Sequence, residues 1–241
     1  MNKSFLPNIK YYEYAYHKWF SDDPVEWDSW KPASPEWDYP DQDVTRFSKI
    51  IGENVDIIKG KRVVDFACHL GYISLFCLHN QAQFVTGTNV RQNCLNIADE
   101  ICFRAGYNNY SFVNSNIYDY AKTTELCNNA DTAILAGIFY HLHDHYGVIE
   151  SITRSTVKNI IIETTNIETD KPVVEWRVIK ESDVSGFSGV SVDLHYEGKP
   201  SDKWIEDIMH FFKWNLQTKD HFIMPDNHPA NSKRSVLVFS R

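Results

Sequence analysis

Hydrophobic and polar positions follow one another in a repeating order through most of this chain. Short apolar, partly β-branched runs at residues 62–66, 84–88, 110–113, 132–135 and 159–163 predict strands. Between them, residues 44–58, 73–79, 93–105 and 146–155 carry their apolar positions three and four apart and predict helices. Gly106 stands where a helix C-terminus favours glycine. This strand–helix alternation predicts a doubly wound α/β fold, a mostly parallel sheet covered by helices on both faces. Residues 201–214 predict an amphipathic helix with Ser201 as N-cap and Trp204 at its third place. Residues 234–240 predict a last strand, 221–224 a further one before it, and 225–232 a turn-rich link. Residues 166–200 interrupt the order with Pro172 and two glycines around Phe187, and predict an inserted loop or hairpin overhanging the pocket.

The first 50 residues form a block of their own. Tyr11, Tyr12, Tyr14, Tyr16, Trp19 and Phe20 are followed by Trp27, Trp30, Trp37 and Tyr39 among acids and prolines. Residues 8–20 are compatible with one helix. The block predicts an aromatic-rich N-terminal cap (1–50) on an α/β domain (51–241). Its rings either pack on the core or wall the substrate pocket, and the two roles are compatible.

Chemistry concentrates at the end of the first strand, in Val63-Val64-Asp65-Phe66-Ala67-Cys68-His69-Leu70-Gly71-Tyr72-Ile73. Two β-branched residues lead to an acid, then a turn of mostly small residues, then an apolar helical run. Open α/β sheets bind nucleotides at such strand–loop–helix junctions. A dinucleotide fingerprint opens with glycine and keeps its acid for about 20 residues later. Here the acid comes first, which suits a ligand with an amino group and a cationic centre better than a pyrophosphate.

Asp65-Phe66-Ala67-Cys68-His69-Leu70-Gly71 resembles motif I of the class I S-adenosylmethionine-dependent methyltransferases, which usually reads acid-x-Gly-x-Gly-x-Gly. Ala67 and His69 stand at the first two glycine positions. A bacterial branch with a Ser-His-Asp-Gly-Arg turn is more similar. The resemblance covers roughly residues 60–241 and implies a seven-stranded Rossmann-like methyltransferase sheet. It implies S-adenosylmethionine as cofactor and S-adenosylhomocysteine as product. It places the cofactor on Asp65, Ala67, Cys68, His69, Gly71 and Tyr72, with Asp65 taking the amino group.

Three further segments extend the likeness. Gly87-Thr88-Asn89-Val90-Arg91 is similar to a Gly-x-acid-x-Arg stretch whose acid holds the ribose; Asn89 replaces the acid, and Arg91 is retained. A carboxylate accepts two hydroxyl donors, an amide fewer, so the implied ribose binding is weaker. Phe112-Val113-Asn114-Ser115-Asn116-Ile117 resembles the adenine-binding stretch, with Asn116 and the backbone N–H of Ile117 as adenine contacts, although turn chemistry alone also favours asparagine there. Gly137-Ile138-Phe139-Tyr140-His141 resembles a Gly-x-x-Tyr-His pattern in which Gly137 lets the backbone approach the cofactor and Tyr140 and His141 face the methyl group. His141 is the first candidate for a general base, because a neutral imidazole accepts protons near pH 7; a purely structural histidine is the alternative. Glu163, closing the fifth strand before Thr164, completes the acceptor-side set as orienting group, base or cap; a transfer-RNA wobble-uridine branch is similar at this point.

His141-Leu142-His143-Asp144-His145 is one residue short of a metallohydrolase motif, and no complementary ligand spacing occurs elsewhere, so no metal is expected. Five scattered cysteines predict reduced core thiols of a cytoplasmic protein. No apolar run is long enough to span a membrane. A net charge of -8 opposes phosphate backbones and makes a nucleic-acid partner unlikely. The expectation is therefore a methyltransferase acting on a small-molecule acceptor. An RNA-modifying methyltransferase and a non-catalytic cofactor-binding sensor or partner subunit are the alternatives.

Overall fold

The computed structural model describes residues 7–8, 10–11, 14–15, 18, 41–179, 195–223 and 233–241. Helix α1 (Asp41–Ile50) and a 3-10 turn (Gly52–Ile57) precede the sheet. The alternation then runs β1 (Arg62–Phe66), α2 (Tyr72–His79), β2 (Phe84–Asn89), α3 (Gln92–Arg104), β3 (Tyr110–Asn114), α4 (Tyr120–Asn128), β4 (Thr132–Ala136), α5 (His145–Thr153) and β5 (Asn159–Thr165). Two strands of a hairpin follow, β6 (Val174–Ile179) and β7 (His195–Pro200), then α6 (Asp202–Phe211), β8 (Asn215–Ile223) and β9 (Lys233–Ser240).

The main sheet has seven strands in the order β3-β2-β1-β4-β5-β9-β8. The first five are parallel to one another; β9 runs antiparallel to both β5 and β8. Strand order reverses between β1 and β4, the topological switch point at which such sheets open a crevice. The buried runs explain the layering: β1 reads Val63, Val64 and Phe66 and β5 Ile160, Ile161 and Ile162, all covered, as strands with helices on both faces must be. One apolar cluster joins α1, α2 and α3 to one face, and a second joins α5 and α6 to the other. Within the first, Phe47 of α1 meets Phe76 of α2 edge-to-face at 4.3 Å.

Most expected elements appear within a residue or two. Two differ. Helix α4 lies where the residue pattern predicted no element: only Thr123 and Cys127 of it are buried, too few to make a periodic stripe. Strand β8 begins at Asn215 rather than near 221, because its first half is exposed at the sheet edge and lacks apolar alternation. The inserted segment 166–200 is a hairpin at both described ends, set in a small sheet of its own. Of the N-terminal block, Lys10, Tyr11, Tyr14, Ala15 and Lys18 are helical, and buried Tyr14 donates to Glu100 of α3 at 2.8 Å. Trp19, Phe20, Trp27, Trp30, Trp37, Tyr39 and the link 225–232 lie outside the described residues.

Ser201 fastens the hairpin to α6. Its buried hydroxyl donates to the Lys171 carbonyl (2.7 Å) and accepts from the N–H groups of Trp204 and Val173 (both 3.2 Å). Replacing it removes a cap and leaves buried backbone groups unpaired. Ser201→Ala is expected to lower stability by about 2 kcal/mol, read as a drop in Tm of roughly 4–8 °C.

Candidate active site

The loops after β1, β2, β3 and β4 all leave the same carboxyl edge of the sheet, so the residues singled out in four separate segments lie along that one edge. Asp65 is the penultimate residue of β1, 1 % exposed, and among the described residues its side-chain donor is Ser74 of α2, 2.7 Å from its Oδ2. Burial pushes its carboxyl up to about 7, against the Ser74 hydrogen bonds and the more distant Arg46. No cation among the described residues reaches ion-pair distance. An acid whose folded value exceeds its unfolded one loses stability as pH rises, here between about 4 and 7. A bound cation would restore it.

The turn after Asp65 has an unusual backbone. Ala67 (φ 54°), His69 (φ 49°) and Gly71 (φ 78°) are all left-handed, every second residue. Those are the three positions at which motif I carries glycine. The loop shape therefore persists with two side chains in conformations that L residues avoid, at a cost of about 1–2 kcal/mol each. Gly71 has no such freedom: a Cβ there would stand 2.6 Å from the Ala98 Cβ of α3. Cys68 sits between them, its N–H donating to the Thr88 carbonyl (2.8 Å) and its thiol, pushed up by burial, un-ionised. His69 is neutral as well; burial, then Arg91 and Arg46, lower it to about 4. Tyr72 opens α2.

Both asparagines that replace acids hold their own turns. Asn89 Oδ1 accepts from the Arg91 N–H (2.9 Å), and Asn116 Oδ1 from the Tyr118 N–H (3.0 Å). Each is thus an Asx turn at a strand end, with one acceptor site already engaged. The Ile117 carbonyl accepts from Thr123 (3.0 Å), and its N–H meets no acceptor among the described residues.

The β4 loop lies over a buried ion cluster. Glu163 of β5 is fully covered and receives a fork from each of two arginines. Arg46 of α1 donates to it through Nε (3.3 Å) and Nη2 (3.0 Å); Arg234 of β9 donates through Nε and through Nη2 (3.2 Å). Burial alone would raise this carboxyl, but the two guanidiniums outweigh it and hold it down to about 2. Gly137 (φ 73°) rests directly on the cluster: its N–H donates to the Glu163 carbonyl (2.9 Å), and a Cβ would stand 2.7 Å from Arg46 Nη2. Arg234 also lies 5.4 Å from the centre of the Tyr140 ring. The cluster is an anchor for this loop. A carboxylate so firmly ionised is no proton acceptor at neutral pH.

His141 follows Tyr140 in a single 3-10 turn (Phe139–His141), their rings 4.0 Å apart. Its Nδ1 is hydrogen-bonded to Glu197 of β7, and both side chains are largely covered, 19 % and 13 % exposed. The hairpin reaches this turn because Gly198 leaves room: a Cβ on it would collide with the His145 ring (2.5 Å) and Trp176 (2.7 Å). His145 itself donates to the Phe139 carbonyl (2.9 Å) and is kept neutral by burial, at about 4. Among the described residues no group of three His, Cys, Asp or Glu could hold a metal. All five cysteines are buried and free, and no described helix is long and apolar enough to cross a membrane.

Arg46, Arg234 and Glu197 carry no motif, and their partners lie 117, 71 and 56 residues away in sequence. Only Arg234 had a sequence signal, its place before the last strand being one that the resembling branch shares.

No family model matches the chain, and no curated protein matches it by sequence. Solved structures do resemble it. The N-terminal domain of EvdMO1, determined with S-adenosylhomocysteine and D-fucose, superposes with a TM-score of 0.61 at 13% identity, over 99% of this chain and 98% of that one. Magnesium protoporphyrin IX methyltransferase (ChlM) from Synechocystis PCC 6803, with bound S-adenosylmethionine, gives 0.59 at 11% identity over 95% and 90%. A putative RNA methyltransferase from Pyrococcus horikoshii gives 0.58 at 12% over 95% and 98%. The shared feature is the fold, a Rossmann-like methyltransferase sheet.

Two outcomes follow from this geometry. Ala67→Gly is expected to raise stability by about 1 kcal/mol in urea unfolding, because the turn's strain is relieved by more than the added chain entropy costs. Glu163→Gln is expected to destabilise by about 3–5 kcal/mol at pH 7, since it strands two guanidiniums. Glu163 is lowered on folding, so its contribution is complete above its unfolded value near 4 and disappears as pH falls toward 2. Wild type and variant should therefore converge in stability across that window.

Proposed function

We propose that this protein is an S-adenosylmethionine-dependent methyltransferase acting on a small molecule. The observation that carries the reading is Asp65: a nearly fully buried carboxylate, raised to about 7, facing the switch-point crevice without a cation. An ammonium group is what it lacks, and an amino-acid ligand brings one. The fold shared with methyltransferases of known cofactor supports the same choice. A pyrophosphate ligand is disfavoured by the buried acid at the head of the turn.

The donor set fits the cofactor. Asp65 takes its ammonium, while Ala67, Cys68, His69, Gly71 and Tyr72 shape the turn around the amino-acid part. Asn89 uses its amide N–H toward the ribose, its oxygen being tied to Arg91; Arg91 flanks the same edge. Asn116 Oδ1 has a second lone pair for the adenine amino group, and the Ile117 N–H meets the ring. Gly137 keeps the β4 loop backbone close to the reacting centre. S-adenosylmethionine supplies an already electrophilic methyl group, and S-adenosylhomocysteine is what remains after transfer.

The protein's own work is alignment, exclusion of water and, for a protonated acceptor, removal of a proton. His141 takes that proton at Nε2. Glu197 holds Nδ1, which fixes the tautomer and stabilises the imidazolium formed. Tyr140, steadied by Arg234, forms the wall beside it. The chain's net charge of -8 supports a small acceptor over RNA.

The test is calorimetric titration with S-adenosylmethionine, S-adenosylhomocysteine and NAD. Micromolar binding of the sulfur ligands and none of NAD is expected; no binding of either sulfur ligand rejects the reading. Affinity should fall about tenfold for each pH unit below 7, as Asp65 takes up a proton and stops attracting the ammonium. His141→Ala should lower kcat by about a hundredfold or more while cofactor affinity holds. Unchanged turnover would remove the base assignment.

A further inference from the structure

The hairpin places more charge beside the β4 loop than the reading above uses. Side chains alternate along a strand, so Glu197 and Lys199 of β7 share a face with Arg177 and Glu175, which stand opposite them on β6. Glu197 directs this face toward the β4 loop through its bond to His141. Glu175 is engaged by Arg177 at 2.9 Å. Lys199 is half-buried, and no carboxylate closes on its ammonium among the described residues. Burial, then Arg177 and Arg234, lower its pKa, with only Glu175 opposing.

The balance beneath it is also positive. Arg46 and Arg234 share one carboxylate, Glu163, and so keep a net positive charge. Among the described residues, Lys199, Arg177, Arg46 and Arg234 thus outnumber Glu175, Glu163 and Glu197, the last already committed to His141, in a chain whose net charge is -8. Holding an ammonium half out of water without a counter-ion costs stability. An anionic ligand would remove that cost.

We propose that the methyl acceptor is a small anion whose carboxylate or phosphate docks on the Lys199 ammonium while its nucleophilic atom lies at His141. The term acceptor rests on the methyl-transfer reading; the anion site itself does not. Lys199 and the Glu197 that holds His141 are two residues apart on one face of one strand, their Cα atoms roughly 7 Å apart, which puts both groups within reach of one small ligand. Arg177 and Arg234 contribute the surrounding positive potential.

The full chain would be titrated by calorimetry, with and without S-adenosylhomocysteine, against 4-hydroxybenzoate, phenyl phosphate and the neutral 4-hydroxybenzamide. At least one anion is expected to bind ten times or more tightly than the amide, and the tighter of the two distinguishes carboxylate from phosphate. Lys199→Met should weaken that anion at least tenfold and leave S-adenosylhomocysteine affinity unchanged, and Lys199→Arg should retain most of the binding. Equal affinity for acid and amide, no binding of either anion, or full anion binding by Lys199→Met overturns the proposal. Failure of S-adenosylhomocysteine to bind the wild type rejects the methyl-transfer reading instead, and the anion titration without it still decides this one.

Discussion

Two guanidiniums share one buried carboxylate at the centre of this protein, and much of the site's geometry is referred to that contact. Glu163 belongs to β5, Arg46 to the helix before the sheet, and Arg234 to the strand that completes it. The cluster therefore ties the beginning, middle and end of the fold together at the carboxyl edge of the sheet. Gly137 lies on it, and Tyr140 packs against one of its arginines. Such a triad is expensive to bury, and its stabilising value against an apolar replacement is small. What it provides is position: two forks on one carboxylate leave little freedom to any of the three side chains, and the β4 loop inherits that order.

A second constraint acts on the turn after β1. Left-handed backbone at residues 67, 69 and 71 is what brings the chain round from Asp65 into α2, and the shape survives with alanine and histidine at two of the three places. The glycine that remains is the one at which a side chain would strike α3. Steric contact, rather than backbone strain alone, thus separates the position where glycine is required from those where it is merely easier.

The fold was legible because the central parallel strands β1, β4 and β5 are buried on both faces and largely apolar, and they and the shorter runs of β2 and β3 alternate with helical stripes. Helix α4 and the first half of β8 were hidden for the converse reason: α4 buries two residues and β8 runs along an exposed edge, so neither needs a periodic apolar pattern. At the candidate site, contiguous segments pointed to Asp65, Asn89, Asn116, Gly137 and His141 as candidates, since a strand end and its loop are close in sequence. Glu163 was visible as a residue but not in its role, which depends on arginines brought from distant elements. Glu197 and Lys199 were invisible, because only the docking of Gly198 beside His145 brings that strand to the β4 loop.

The place of β9 has a consequence for how the molecule comes into being. It inserts between β5 and β8, and it brings Arg234. Until residues 233–240 have paired, β5 presents an open edge, and Glu163 lies at that edge with half of its counter-charge missing. An unpaired strand of Ile160, Ile161 and Ile162 beside an under-compensated carboxylate is both sticky and unstable. The β4 loop, whose Gly137 rests on Glu163 and whose Tyr140 packs against Arg234, therefore takes its described form only with β9 in place. The order of that loop is thus a report that β9 has paired.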